Sequence, residues 1–232
     1  MKKSFMAFLL MAALLLPGMV APSFASDMKQ STPIVDLTSL LAPPPAEGSE
    51  QTKKELAEVL AFQSTRTKDQ EAAAQADMDK NVFRFKNVMG DKFTAENLPL
   101  TAALFDKALK AAKEAVAPIK DFYNRPRPFV NNKSVKPCVK MENEGSYPSG
   151  HATAGTVIAV LLSNMVPEKK AEIFKRGWDY AQNRVIGGVH YRSDIEAGRI
   201  SGTVIAAILM KDKKFMKDFA AAKTELRMAL GY

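Results

Sequence analysis

The sequence predicts an all-α domain, because three features favour helices and no segment favours strands. Apolar residues recur at intervals of three and four over several long segments. Stretches without Pro or Gly are rich in Ala, Lys, Glu and Gln, which are strong helix formers. No segment alternates between apolar and polar residues for long enough to form a sheet. We therefore expect one compact, single-domain helical bundle.

The first 25 residues have the pattern of an export signal. Lys2 and Lys3 precede an apolar run over residues 5–16, and small residues at Ser23 and Ala25 fit cleavage after Ala25. The apolar run is shorter than the roughly 20 residues that a membrane-spanning helix needs. Removing 25 residues from 232 leaves 207, enough for one domain with a full core. We expect a periplasmic or secreted protein without membrane attachment after signal removal.

The first half of the chain after the signal is expected to hold an arm and two or three helices. Residues 26–49 contain four Pro and one Gly among polar residues, which predicts an extended N-terminal arm. The helical domain then covers residues 50–232. One or two helices fit between residues 51 and 89, because no Pro or Gly interrupts that stretch. The next helix runs from about 101 to 117, and Pro118 is expected to disturb or restart it.

Four further helices are predicted in the second half, after a polar stretch over residues 129–147. Ser149 is a natural N-cap for the first of them, and Pro167 begins the second. Gly187 and Gly188 end the second helix. The predicted bounds of the four helices are about 149–165, 167–186, 191–210 and 215–228. The apolar stretches at 152–166 and 200–210 are too short to span a membrane and are expected to be central core helices.

Charge and cysteine content restrict the partners only loosely. Without Lys2 and Lys3 the net charge falls from +8 to +6, which favours small anionic partners but is equally typical of a solvated surface. No run of Lys and Arg alternates with aromatic residues, so we expect no nucleic acid partner. Cys138 is the only cysteine and cannot form an intramolecular disulfide. We expect it to be buried rather than paired between chains.

The first candidate site segment is Lys120 to Pro128, which reads KDFYNRPRP. Its prolines stiffen the backbone, so that Arg127 is presented at low entropic cost. The planar guanidinium of Arg127 can hold two oxygens of a phosphate, while Lys120 adds a point charge. The alternative is a basic turn on the surface.

The second candidate segment is Gly145 to His151, GSYPSGH, which leads directly into a predicted helix. Gly150 has no side chain to keep an anion away from the amides of the first turn, which Ser149 caps. His151 lies just inside the helix, within reach of a bound ester. The alternative is an ordinary turn and helix cap.

The third candidate segment is Asn183 to Asp194, NRVIGGVHYRSD. His190 and Asp194 are four residues apart, so on a helix they would share one face. The carboxylate could then accept the proton of one ring nitrogen and leave the other free for nucleophilic attack. Arg184 could supply a further guanidinium. The alternative is a solvated His–Asp pair.

Together the three segments resemble the signature of the type 2 phosphatidic acid phosphatase (PAP2) superfamily. This superfamily includes bacterial class A non-specific acid phosphatases and vanadium haloperoxidases. Its pattern is Lys, six residues and Arg-Pro; then Pro-Ser-Gly-His; then Ser-Arg, five residues, His, three residues and Asp. The matching positions are Lys120, Arg127, Pro128, Pro148, Ser149, Gly150, His151, Arg184, His190 and Asp194. Asn183 stands where the family usually has Ser. Two segments outside the pattern, LLAPPPAEGSE and SDIEAGR, look like class A enzymes.

The resemblance implies a fold of the PAP2/haloperoxidase type and a metal-independent acid phosphatase that needs no cofactor. It implies small phosphorylated substrates and a homo-oligomer. Its implied catalytic residues are His190 as nucleophile, Asp194 as the group that orients it, and His151 as general acid and base. Its implied phosphate-binding residues are Lys120, Arg127, Ser149, Gly150 and Arg184. A neutral His190 and a protonated His151 would give an acidic optimum and a bell-shaped pH profile.

Three other functions compete with this interpretation. The same anion pocket could hold vanadate, and the protein would then be a vanadium-dependent haloperoxidase that oxidises halides. A lipid or diphosphate phosphatase of the same superfamily is the second alternative, which the lack of several spanning segments disfavours. The third is a phosphate-binding protein without catalysis, although every catalytic residue type is present.

Overall fold

The computed structural model describes residues 34–232 of the chain. The predicted export signal and residues 26–33 of the predicted arm lie outside these described residues. Over residues 34–232 the chain forms nine α-helices and three short 3₁₀ helices, without a strand. This confirms the predicted all-α class.

Most helix bounds lie close to the predicted ones. The α-helices in chain order are α1 (Glu50–Thr65), α2 (Lys68–Ala76), α3 (Lys86–Met89), α4 (Pro99–Tyr123), α5 (Pro128–Asn131), α6 (Gly150–Met165), α7 (Lys170–Ile186), α8 (Arg192–Leu209) and α9 (Lys213–Leu230). The 3₁₀ helices are Leu37–Ser39, Val82–Phe85 and Pro167–Lys169. The predicted N-cap at Ser149 is present, and its hydroxyl accepts a hydrogen bond from the Ala152 amide at 3.3 Å.

Helix α4 does not restart at Pro118, contrary to the sequence-based expectation, and continues to Tyr123. Pro118 is exposed, whereas Ala115, Val116 and Ile119 on either side of it are buried. Packing of this apolar stripe offsets the cost of about 3 kcal/mol that a proline imposes inside a helix. The extension places Lys120 in the last turn of α4.

Helix α6 forms the centre of the bundle, as its apolar sequence predicts. It packs most extensively against α7 and α8, and α4 packs on it as well. Helix α9 packs on the outside of α4. Most residues of α6 are buried, whereas α8 is amphipathic, since Ile205 is fully buried and Ile200 is 48% exposed. The expectation of a second central helix at 200–210 therefore holds for one face of α8 only.

Two glycines of α8 allow it to lie directly against the start of α6. A Cβ atom at Gly198 would meet the Ser149 carbonyl oxygen at 2.6 Å, and one at Gly202 would meet the Thr153 carbonyl oxygen at 2.6 Å. The amide of Ser149 donates to the carbonyl oxygen of Asp194 at 2.9 Å. This close approach brings the first turns of α6 and α8 together, and with them two of the three predicted site segments.

Residues 34–49 lie on the helical domain. Leu37 and Leu41 are buried, and the hydroxyl of Tyr147 donates to the carbonyl of Ala42 at 2.6 Å. Within residues 34–232, no helix is both long and apolar enough to cross a lipid bilayer.

Candidate active site

The structure brings all eight predicted site residues to one end of the bundle. Lys120 closes α4, Arg127 directly precedes α5, and Arg184 lies in the last turn of α7. The other five lie at the starts of α6 and α8: Ser149, Gly150, His151, His190 and Asp194. All of them except the half-buried Gly150 are at most 3% exposed. Buried charged groups need specific partners, so the contacts of each side chain define what the site can bind.

Asp194 is the most heavily hydrogen-bonded carboxylate of the site. Its Oδ1 accepts from Arg125 Nη1 at 2.6 Å. Its Oδ2 accepts from the Ser146 hydroxyl at 2.5 Å and from the Tyr191 amide at 2.8 Å. His190 Nδ1 lies 3.3 Å from the same oxygen. The carboxylate is therefore held in one orientation from several sides.

His190 lies in the short loop before α8 and therefore does not share a helical face with Asp194. The prediction of a shared helical face was wrong. The two side chains meet because Asp194 lies in the first turn of α8 and its carboxylate reaches back to the preceding loop. The predicted contact between the two side chains is present, but it joins a loop residue to the first turn of α8 instead of two residues on one face of a helix.

The contacts of His190 determine which ring nitrogen is free. Arg127 Nη1 lies 3.1 Å from Nε2, and a guanidinium can only donate, so Nε2 carries the lone pair. The proton of the neutral ring is then on Nδ1, where Asp194 Oδ2 and the Ser146 hydroxyl oxygen, at 3.2 Å, accept it. The Nε2 lone pair consequently faces the cationic side of the site.

His151 is oriented by a backbone carbonyl from a distant segment. Its Nε2 donates to the Met78 carbonyl oxygen at 3.1 Å, because a carbonyl can only accept. This bond leaves Nδ1 to gain or lose a proton. The sequence offered no signal for Met78, which lies in the loop after α2.

Lys120 and Arg127 are both anchored by the loop that precedes α6. Lys120 Nζ donates to the Gly145 carbonyl at 2.5 Å, and Arg127 Nε donates to the Glu144 carbonyl at 3.0 Å. Arg127 Nη1 also donates to the Val189 carbonyl at 3.0 Å. Burial lowers the pKa of Lys120, and the charge of Glu144 partly offsets this effect.

Arg184 is fully buried, and two of its three guanidinium nitrogens have no hydrogen-bond partner among residues 34–232. Its Nη1 lies 3.1 Å from the Met78 sulfur, a weak acceptor. Within the described part of the chain, Nε and Nη2 are buried and have no hydrogen-bond partner. Unsatisfied buried donors cost about 1–3 kcal/mol each, more when charged. Two donor nitrogens are therefore available to an anion that replaces the Glu142 carboxylate, which lies 3.7 Å from Nη2.

Two glutamates that the sequence analysis missed lie among these cations. Glu142 Oε2 accepts from Arg127 Nη2 at 3.1 Å and lies 3.7 Å from Arg184 Nη2. Glu144 Oε1 lies 3.4 Å from Lys120 Nζ and 3.7 Å from Arg127 Nη2. Both belong to the loop 132–149, so an incoming anion must compete with or displace their carboxylates.

Arg125 and Glu55, which the sequence did not indicate as site residues, form an ion pair next to Asp194. Arg125 is 6% exposed and contacts Asp194, Ser193 and the Glu55 carboxylate of α1, the last at 3.2 Å. Its guanidinium also lies over the Tyr191 ring, 4.2 Å from the ring centre. Arg125 therefore neutralises and orients Asp194, which in turn orients His190.

Comparisons with known proteins now give the family. The family model described as PAP2 superfamily matches residues 100–216, half of the chain. The chain belongs to the PAP2 superfamily. The predicted family resemblance is thereby confirmed.

Curated relatives of this PAP2 protein include several acid phosphatases. It is 38% identical over 163 residues to a non-specific acid phosphatase of Salmonella typhi. The aligned region covers 67% of this chain and 65% of that protein. The chain thus spans slightly less than two thirds of that relative. A non-specific acid phosphatase of Providencia stuartii is 32% identical over 203 residues, covering 82% of this chain and 81% of the relative.

Solved structures show the same PAP2-type fold. A bacterial vanadium-dependent iodoperoxidase has a TM-score of 0.53 at 21% identity, covering 72% of this chain and 51% of that one. A vanadium-dependent chloroperoxidase has a TM-score of 0.53 at 12% identity, covering 86% and 53%. At these identities the likeness concerns the fold alone.

The one departure from the PAP2 pattern, Asn183, has a structural role here. Its side-chain amide donates to Asp77 Oδ2 at 2.8 Å, and Asp77 Oδ1 accepts from Arg176 at 2.5 Å. These bonds join α7 to the loop after α2, which supplies the Met78 carbonyl and Lys80. Asn183 therefore anchors a wall of the site.

The PAP2 protein is expected to bind a dianion more tightly as the pH falls. Burial lowers the pKa of His190 and of His151 well below 6.5, and Arg127, Lys120 and Arg184 add to the effect on His190. Because the unfolded chain holds more protons below pH 6.5, the free energy of unfolding of the free protein decreases on acidification. A bound dianion offsets the cations and raises both pKa values. Sulfate, which keeps its charge over this range, should therefore bind more tightly at pH 5 than at pH 7, by up to about tenfold per pH unit for each proton taken up.

Calorimetry in two buffers with different ionisation enthalpies measures this proton uptake directly. Sulfate should also raise the melting temperature more at pH 5 than at pH 7. A sulfate affinity that is the same at both pH values would contradict the assignment of two neutral histidines to this site.

Proposed function

We infer that this PAP2 protein is a periplasmic or secreted acid phosphatase, which hydrolyses small phosphomonoesters through a phosphohistidine on His190. The observation that carries this proposal is the buried guanidinium edge of Arg184, which lacks hydrogen-bond partners at Nε and Nη2 among the described residues. It occurs in the same site as the unprotonated Nε2 of His190, which Arg127 Nη1 contacts. A tetrahedral anion with a leaving group satisfies the unpaired donors and gives the nucleophile a target. The curated acid phosphatase relatives support the same reaction.

The phosphoryl group would be held by the three buried cations. Lys120, Arg127 and Arg184 neutralise its non-bridging oxygens, and the charge that develops in the transition state strengthens these contacts. The Gly150 amide and the Ser149 hydroxyl proton lie at the start of α6, where an anion is stabilised further. Positioning and electrostatics supply most of the catalysis in phosphoryl transfer.

The chemistry would proceed in two displacements. His190 Nε2 forms a bond to phosphorus while the ester P–O bond breaks, and the Nδ1 proton stays shared with Asp194. His151 protonates the departing alcohol through Nδ1 and then removes a proton from the water that cleaves the N–P bond. Because the free site lowers the pKa of His151, the negative charge of the substrate must restore its proton.

The test is release of phosphate from p-nitrophenyl phosphate with and without EDTA at pH 5 and 7. We expect turnover that is faster at pH 5 and unaffected by EDTA. Arg184→Ala should lower kcat/KM by about 10²–10³-fold, because two donors to the transition state are lost. Arg199→Ala, which removes an exposed cation paired with Glu196, is the matched control and should change kcat/KM less than about twofold.

The screen should also include nucleoside triphosphates, phosphodiesters and halide oxidation with added vanadate. The Arg184 nitrogens without a hydrogen-bond partner in the described part of the chain and the unprotonated Nε2 of His190 would fit vanadate as well as phosphate. Halide oxidation without phosphate release would replace the phosphatase proposal with the haloperoxidase alternative. Binding of phosphate without turnover of any ester would leave only the binding-protein alternative.

A further inference from the structure

A groove of about 330 Å³ opens directly beside the cationic site. Its volume lies at the lower end of the range for ligand pockets, roughly 300–1,000 Å³. Lys120 and Gly150, two of the predicted phosphate-binding residues, belong to its wall. The groove is therefore continuous with the proposed phosphate position.

One face of α4 forms the long wall of this groove. The lining residues Leu109, Ala112, Val116 and Ala117 follow helical spacing and lead to Lys120 in the same helix. Ala154 of α6 faces them from the other side. Because this wall is apolar, it favours an apolar or aromatic group next to the phosphate.

The edges of the groove carry several cations. Lys80, Lys110 and Lys113 line it, with Glu144 as the opposing charge. Lys110 is paired with Glu114 at 2.6 Å. A Cβ atom at Gly150 would lie 3.9 Å from Lys80 Nζ, so Lys80 borders the phosphate position. Lys113 is exposed and lies seven residues before Lys120, about 10 Å along the helix axis.

We propose that this groove binds the alcohol part of the substrate and selects phosphomonoesters of aromatic alcohols that carry a second anionic group, which Lys113 pairs with. The proposal rests on the phosphatase function inferred above. The phosphate binds among Lys120, Arg127 and Arg184, the ring lies on the apolar face of α4, and the second anion reaches Lys113. A phenyl ring with an anionic group opposite its ester oxygen directs that group toward Lys113, whose flexible side chain covers the remaining distance, whereas a methyl ester carries no such group.

The test uses methyl phosphate, phenyl phosphate and 4-carboxyphenyl phosphate. For each ester, kcat/KM of a variant is divided by kcat/KM of the unmodified protein, and these ratios are compared. Ala117→Trp fills the groove from an exposed helical position. It should lower the ratio for both aryl esters by at least about tenfold and leave methyl phosphate within about twofold. Ala220→Trp, at an exposed position of α9 that does not line the groove, is the control for added bulk.

The charge is tested separately. Lys113→Ala should lower the ratio for 4-carboxyphenyl phosphate by about fivefold and leave phenyl phosphate within about twofold, because only the carboxylate pairs with the ammonium. Lys217→Ala removes an exposed lysine that does not line the groove and should affect the three esters equally. Equal effects of Ala117→Trp on all three esters would overturn the groove as a substrate site.

A binding experiment separates failure of this proposal from failure of the phosphatase function. Phenylphosphonate and methylphosphonate are not hydrolysed, and their affinities are measured by calorimetry. Tighter binding of phenylphosphonate that Ala117→Trp abolishes supports the groove even if no ester is turned over. Equal affinities of the two phosphonates, in a protein that does hydrolyse esters, would refute the groove while the phosphatase function stands.

Discussion

Replacing His190 with Ala is expected to lower phosphate release by at least about 10⁴-fold, because the variant lacks the proposed nucleophile. His190 Nε2 is the imidazole nitrogen that faces the cationic residues, and Arg127 contacts it at 3.1 Å. Initial rates with p-nitrophenyl phosphate measure the loss, and circular dichroism shows whether the variant is folded. More than a few per cent of residual activity in a folded His190→Ala protein would refute the assignment.

Trapping of the intermediate gives the same assignment an independent readout. In His151→Ala, the p-nitrophenolate of labelled p-nitrophenyl phosphate can still leave without a proton, whereas the step that activates water is slowed, so labelled phosphate should accumulate on the protein. The label should be lost in acid and kept in alkali, as for an N–P bond. The double variant His151→Ala/His190→Ala should carry no label. Labelling of the double variant would place the covalent bond on another residue.

Replacing Arg125 with Ala is expected to lower the free energy of unfolding by about 3–5 kcal/mol, because Asp194 and Glu55 would remain buried without their cation. The loss of the 2.6 Å bond to Asp194 should also reduce kcat, since His190 depends on that carboxylate for its orientation. Chemical denaturation followed by fluorescence measures the stability change.

Two further variants test whether the loss of stability in Arg125→Ala comes from the buried ion pairs. Arg199→Ala removes an exposed ion pair on α8 and should change stability by less than about 1 kcal/mol. Glu55→Gln combined with Arg125→Ala should destabilise the protein by less than the sum of the single variants, because the two side chains are partners. Additive effects of the two substitutions would show that the Glu55–Arg125 contact carries no coupling energy.

Helix bounds and the predicted site residues were accessible from the sequence because their signals are local. Ser149 caps the start of α6, and Gly188, in the left-handed conformation with φ +78°, follows the end of α7; both effects depend on neighbouring residues. The continuation of α4 through Pro118 was missed because the apolar packing that stabilises it comes from other helices. The position of His190 in the loop before α8 was missed for the same reason, because its contacts with Ser146 and Arg127 come from distant segments of the chain.

The residues that orient the proposed catalytic groups were not predictable, since their partners are far away in sequence. Met78 contacts His151 across 73 residues, and Glu55 contacts Arg125 across 70. Glu142 carries no motif and belongs to the site only because its loop lies over Arg127 and Arg184. No local pattern specifies which distant side chains will meet.

By itself, the sequence determined an all-α chain with three short segments that together carry both histidines and several cationic side chains, because helix periodicity, capping and motif spacing are properties of neighbouring residues. Only the tertiary structure decided that these segments share one buried site, that Nε2 of His190 is the unprotonated nitrogen, and that an apolar groove along α4 borders the site. Those features depend on how helices pack, and packing is decided by contacts between residues that the chain order keeps apart.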